Sequence, residues 1–276
     1  MYFEGISVLA KSLVRLRGTG TLPLLNALLT NEINTTNPVI YSYLLNSQGR
    51  VLFDLFLYKL NDNDVLLEVD RSAEQSLIKV LNFYKLRRPV DIASSSLVAC
   101  VASDAQSAAV VQDIDPRLPQ LGHKVVLEKS PANAKTADVY CELRYRLGVP
   151  EGISELGLGK AIPLESNGDY LKAISFEKGC YIGQELTARA YHTGIVRKRF
   201  MPLKFSEVLQ GFKPGSDASV LNEKDSKVGV LKAAQGIRGL GLMRIKESLE
   251  AEMLKTDKYA NVQLTIAIPT WWPKNR

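Results

Sequence analysis

Lys178-Gly179-Cys180-Tyr181-Ile182-Gly183-Gln184-Glu185 sets a cysteine between glycines, a combination that frees the backbone and lets another molecule come close. The residues that follow predict a helix from about Ile182 through Leu186 towards Tyr191, stopping before Gly194. Cys180 then lies near a helix N-terminus with Lys178 two residues away, and both features favour the thiolate, the form that binds metal or attacks electrophiles. A free cysteine is just as commonly a small buried hydrophobe, so spacing alone leaves both readings open.

The remaining thiols narrow the chemistry. The 276 residues contain three cysteines, Cys100, Cys141 and Cys180, with no CxxC pair, which argues against a disulfide framework and a closed zinc site. Cys100, inside Leu97-Val98-Ala99, reads as core, and Cys141 flanks the apolar stripe of a helix. His192 follows Cys180 too far downstream for a local ligand motif. Iron–sulfur clusters take four protein ligands, mostly thiolates. A chain with one candidate thiol therefore holds a cluster only jointly with a partner, which is chemistry suited to assembly or transfer.

Composition sets outer bounds. Apolar residues make up 46% and charged residues 23%, as in ordinary globular proteins, and no apolar run is long enough to span a bilayer. The net charge of +6 and pI near 9.1 favour acidic partners. The excess is scattered, with Arg197-Lys198-Arg199 its densest point and a solvated strand end its plain reading. Nucleic acid is not expected as a partner, because no zinc-finger or RNA-binding signature accompanies the charge.

Outward from the cysteine segment, strands are expected at Ile6 to Val14, Val51 to Tyr58, Val65 to Val69 and Leu97 to Val101. Helices are expected at Thr21 to Leu29, with Thr21 as cap, at Ala73 to Tyr84, and at Thr136 to Leu147. Asn46-Ser47-Gln48-Gly49 reads as a hairpin turn, and Asp115-Pro116-Arg117 as a turn-rich connection. Beyond Arg199, strand-length segments with Gly236, Gly239 and Gly241 suggest a small β-barrel whose glycines mark tight bends. Trp271 and Trp272 read as docking the terminus onto the core.

Lys178 to Glu185, continuing through Leu186-Thr187-Ala188-Arg189, resembles the KGCYxGQE signature of a family: mitochondrial iron–sulfur cluster assembly factors of the folate-binding, aminomethyltransferase (glycine-cleavage T-protein)-like type. Ile162 to Asn167, Ile174-Ser175-Phe176, Val196 to Phe200, Leu28 to Glu32, Gln48-Gly49-Arg50, Asp115-Pro116-Arg117 and Pro269 to Pro273 extend the likeness over nearly the whole chain. It implies an α+β fold, with two intertwined α+β units over 1–198 and a C-terminal β-barrel over 199–276. It implies that Cys180 ligates a [2Fe–2S] cluster shared with an A-type scaffold partner, for clients that are [4Fe–4S] apoproteins. Gly179, Tyr181, Gly183, Gln184, Glu185, Arg197, Lys198 and Arg199 are the accompanying motif and partner residues. A protein of this type is expected in the mitochondrial matrix and as a monomer when alone. Gly168, Ala173 and Lys124 depart from the family pattern, which places leucine, glycine and arginine there.

The same likeness keeps a second reading open, a tetrahydrofolate-dependent one-carbon transferase. T-proteins use an aspartate in the strand after the glycine-turn hairpin, and Asp54 lies in the equivalent strand. Among Leu52, Phe53, Leu55 and Phe56 its carboxylate is either desolvated into a useful base or turned outward. Lys178, Arg189 or the Arg197 to Arg199 group are the candidates for receiving the anionic tail of folate. One-carbon transfer has no need of a thiol at position 180, whereas cluster handling does.

Overall fold

The computed structural model describes residues 4–213, 215–259 and 261–274. The chain opens with β1 (Ile6–Val8) and β2 (Lys11–Arg17), so the expected single first strand is broken at Leu9 and its halves enter different sheets. After α1 (Thr21–Leu28) come β3 (Val39–Leu45), β4 (Val51–Asn61), β5 (Asp64–Asp70), α2 (Glu74–Lys85) and β6 (Asp91–Ser95). These strands form an antiparallel sheet in the order β3-β4-β5-β2-β6. A second sheet has the order β1-β7-β9-β8, from β7 (Val98–Ala102), β8 (Ala109–Ile114) and β9 (His123–Leu127). Because β1 pairs with β7 across all of the first unit, the two units are intertwined.

Alternation within β3 and β4 explains why these strands are apolar on both sides. Ile40, Leu44, Phe53, Leu55 and Leu57 face α1 and α2 together with Leu24, Leu25, Leu28, Leu77 and Leu81. Tyr41, Tyr43, Phe56 and Tyr58 turn the other way into the centre of the N-terminal region, and Asp54 shares their face by the two-residue period. Thr21 is the first helical residue of α1 rather than its cap. Gly20 occupies that place, and the Thr21 hydroxyl is buried without a partner.

The connecting segment supplies α3 (Asp138–Leu147), α4 (Ile153–Leu156) and α5 (Gln184–Thr193). A closed antiparallel barrel then follows in the order β10-β13-β12-β11-β14-β15. Its strands are β10 (Lys198–Phe205), β11 (Ala218–Asn222), β12 (Lys227–Gln235), β13 (Arg238–Arg244), β14 (Leu254–Thr256) and β15 (Gln263–Ile266), with α6 (Ile245–Leu249) inserted after β13. Gly239 and Gly241 do not mark bends. They lie inside β13, where a Cβ would stand 2.6 Å from the Phe205 ring and 2.9 Å from Leu203 Cδ1 respectively, so they make room for core side chains. The terminal strap is pinned by Trp271, whose indole N–H donates to Leu147 O at 2.7 Å.

Candidate functional site

Cys180 sits on a short loop clamped at both ends onto the C-terminal end of α1. On one side the Lys178 ammonium is buried and donates to the carbonyls of Asn26, Leu29 and Asn31 at 2.8, 2.6 and 3.0 Å. These are carbonyls at or just past a helix end, where acceptors lack intrahelical partners and the dipole favours a cation. Burial pulls the Lys178 pKa down to about 8 against the opposing influence of Glu32, which leaves the ammonium charged at neutral pH. On the other side Tyr181 is buried, with Lys178 Nζ 5.4 Å from its ring centre, and the Ile182 N–H donates to Ala27 O at 3.3 Å. Between these anchors Gly179 and Cys180 are exposed, and a Cβ built on Gly179 would meet nothing within 4 Å.

Two expectations about this loop are corrected. The helix begins at Gln184, with Gly183 as its cap, two residues later than expected, so Cys180 lies further ahead of the first turn. The charge of Lys178 is spent on three carbonyls, so its donors serve the loop, and none is left over for a folate tail. Gly183 adopts φ +77°, and a Cβ there would lie 2.3 Å from Asn46 O and 3.1 Å from Gly49 Cα. The hairpin turn Asn46–Gly49 thus packs its backbone directly against the start of α5, and only glycine lets it do so.

The other motif residues divide into structural and exposed groups. Gln184 accepts the Tyr181 N–H through Oε1 at 3.3 Å, closing the helix start. Glu185 and Arg189 form an exposed i,i+4 ion pair at 2.8 Å. Arg197 is exposed and Lys198 half-buried, but Arg199 is not part of a solvated strand end. It is buried, bidentate to Asp169 at 2.8 Å for each bond, and stacked 3.9 Å over the Tyr170 ring. His192 is exposed at the far end of α5, Cys100 is buried, and Cys141 is half-buried beside Arg144. Among the described residues, no group of three or more His, Cys, Asp or Glu side chains converges in the manner of a metal site.

Asp54 is buried in the centre of the N-terminal region, so the outward-facing alternative falls away. The Gly152 N–H reaches both of its oxygens, at 3.1 and 3.0 Å, and the Tyr41 hydroxyl donates at 3.4 Å. Around it stand Lys11, Arg117, Lys124 and Arg144 with Glu68, Asp70, Asp115, Glu151 and Glu155, four cations against six carboxylates once Asp54 is included. Burial, reinforced by Asp70 and Glu151 and opposed by Lys11, pushes the Asp54 pKa up to about 6. The folded chain then holds a proton that the unfolded chain releases near 3.8, so this group's contribution is complete below that value and is lost as pH rises through about 6. Asp54→Asn removes that loss. It is expected to raise stability at pH 8 by on the order of 2 kcal/mol, with the gain fading towards pH 4 in denaturant titrations run at several pH values.

A cavity of about 280 Å³ lies against Lys11, Asp70, Arg144, Glu151 and Glu155, and two larger ones open further out. One of about 680 Å³ is lined by Tyr41, Phe176 and Tyr191 and by Glu32, Asp113 and Glu177, with Lys172 as the cation in its wall. The other, of about 860 Å³, lies between α5 and the barrel and includes Tyr170, Tyr191, His192 and Trp272. Tyr191 stacks on Phe176 with ring centres 3.5 Å apart and borders both. Lys178, Arg189 and Cys180 line neither. The carboxylates of the cavity of about 680 Å³ do not suit the anionic tail of folate, whereas Arg199 of the expected basic group lines the one of about 860 Å³, held there by Asp169.

Two intertwined α+β units and a closed C-terminal barrel define the aminomethyltransferase-like fold class, here with one cysteine facing solvent on a clamped loop. The crystal structure of glycine cleavage system aminomethyltransferase T from Bartonella henselae matches the fold with a TM-score of 0.71, covering 98% of this chain and 87% of that one at 13% identity. Residues 197–274 match the CAF17 C-terminal beta-barrel domain. The human iron-sulfur cluster assembly factor IBA57, mitochondrial, is 36% identical over 95% of this chain and 83% of its own length, and the mouse protein 35% identical over 95% and 84%. The chain belongs to the IBA57 family of iron–sulfur cluster assembly factors.

Proposed function

We propose that this chain works in mitochondrial iron–sulfur cluster assembly by holding a [2Fe–2S] cluster through Cys180 Sγ, jointly with an A-type scaffold that supplies the remaining ligands. The cluster is cargo on its way to [4Fe–4S] client apoproteins, and the compartment is the matrix. The observation that carries this reading is the exposed Gly179-Cys180 apex held between two buried anchors. A rigid base fixes where the sulfur is presented, and the open space around Gly179 lets a second protein bring iron to it. Cysteine ligates as the thiolate, so docking the cluster releases the Cys180 proton. The chain's part is to present one soft ligand and leave the other coordination positions to the partner.

Anaerobic mixing with a [2Fe–2S]-loaded A-type scaffold is expected to give a stable 1:1 species, seen by size-exclusion chromatography and visible absorbance. Separate elution of protein and scaffold, with all iron retained by the scaffold, would remove the proposal. The acid-rich cavity makes a further expectation: calorimetric titration with tetrahydrofolate stays flat at sub-millimolar ligand. A saturable heat there would restore folate binding, and turnover of a methylamine-type donor with folate would restore one-carbon transfer.

A further inference from the structure

We infer that the corner at the end of α2 is a peripheral docking site for an anionic lipid surface. The α2 helix packs Leu77 and Leu81 inward, and its outward residues include Lys79, Asn82 and Phe83. From Gln75 to Val90 the sequence holds Lys79, Lys85, Arg87 and Arg88 and not one aspartate or glutamate. Two large apolar side chains project from this basic segment. Phe83 is 73% exposed and Leu86 78%, the two highest values among the large hydrophobic residues described as exposed.

Leu86 carries the strongest signal. The Arg88 N–H donates to Lys85 O at 2.9 Å, closing a turn whose second residue is Leu86, at φ +50° and ψ −118°. Those angles are the first central position of a type II′ turn, where glycine is the residue without steric penalty. A leucine there strains the backbone and, with its side chain in water, gains no packing in return. Observed strain of this kind points to use of the side chain rather than to the stability of the fold. Arg88 Nη1 and Lys85 Nζ brace the turn through Tyr84 O and Val90 O at 3.2 and 3.3 Å.

The occupant follows from shape and charge. The apolar tips protrude, none of the three cavities reaches them, and the cations around them lack interspersed acids. A bilayer with anionic headgroups meets both halves, with phosphates for the arginines and an acyl boundary for Phe83 and Leu86. No described helix is long and apolar enough to cross a membrane, so the contact is peripheral. Asp91, exposed just past the segment, and Glu74 at the opposite end of α2 are the nearest acids in sequence.

The test is co-sedimentation of the full chain with phosphatidylcholine vesicles, neutral or with about a third phosphatidylglycerol, at roughly 0.1 M salt. The chain is expected to pellet with the anionic vesicles and stay soluble with the neutral ones. Each cation removed from Arg87 and Arg88 is expected to weaken binding about fivefold. Phe83→Ser with Leu86→Ser is expected to weaken it roughly tenfold. Leu86→Gly separates docking from folding, because it relieves the turn while deleting the tip: its melting temperature should rise as its vesicle binding falls. Equal binding by Leu86→Gly and the unaltered chain, or no binding of the unaltered chain to anionic vesicles, would overturn the inference.

Discussion

Cys180→Ser is expected to abolish the cluster-bridged complex with an A-type scaffold while leaving the fold untouched. Serine keeps the shape of the side chain but does not ionise near neutral pH and is a poor ligand for iron, so the shared cluster loses its ligand from this side. Position 180 is exposed and contributes no packing, and exposed substitutions of this kind change stability by within about 0.5 kcal/mol. Size-exclusion chromatography with iron analysis reads the first effect, and a thermal melt reads the second. The other two cysteines provide the contrast. Cys100 lies in β7 at 0% exposure, its thiol pushed up to about 11 by burial, so Cys100→Ser buries a hydroxyl and lowers the melting temperature yet keeps the cluster. Cys141→Ser keeps it too. A Cys180→Ser complex with undiminished iron and visible absorbance would sink the assignment.

What the sequence made legible and what it concealed divide along physical lines. The α+β architecture and the barrel were readable, because helical spacing and strand alternation are local signals. The role of Lys178 was not. Its partners are the carbonyls of Asn26, Leu29 and Asn31, roughly 150 positions away in sequence, and backbone acceptors leave no trace in side-chain identity. The same applies to Arg199, whose partner Asp169 precedes it by thirty positions and whose stacking on Tyr170 reverses the reading of a basic run as solvated. Of the family departures, Gly168 has a visible reason: a Cβ there would stand 2.5 Å from the Tyr43 ring. Lys124 replaces the expected arginine yet remains an internal cation, fully buried, paired with Glu68 at 2.7 Å and 4.1 Å from the Phe56 ring centre.

The largest concealed feature is the buried network around Arg117, and removing its hub has the largest expected effect on stability. Asp115-Pro116-Arg117 reads as a turn, and locally it is one, since Asp115 Oδ1 accepts the Arg117 N–H at 3.0 Å. The turn also delivers a guanidinium with its own counterion into the interior. Arg117 Nε and Nη2 donate to the two Asp115 oxygens at 3.0 and 2.8 Å, Nη2 also donates to the Tyr140 hydroxyl at 2.7 Å, and Nη1 lies 2.9 Å from Glu151 Oε2. Its side chain is at 0% exposure, 4.6 Å from the Phe56 ring centre. Arg117→Met leaves Asp115 facing an apolar group in a dry setting, while Glu151 keeps Lys11 and the Tyr140 hydroxyl, and breaking a buried pair from one side costs about 3–5 kcal/mol. For a chain of this size that corresponds to a melting temperature lower by roughly 10 °C. Arg117→Met combined with Asp115→Asn, which removes the stranded charge, should regain part of the loss. A single variant that melts within a degree or two of the parent at pH 8 would show that the fold does not depend on the Arg117 network.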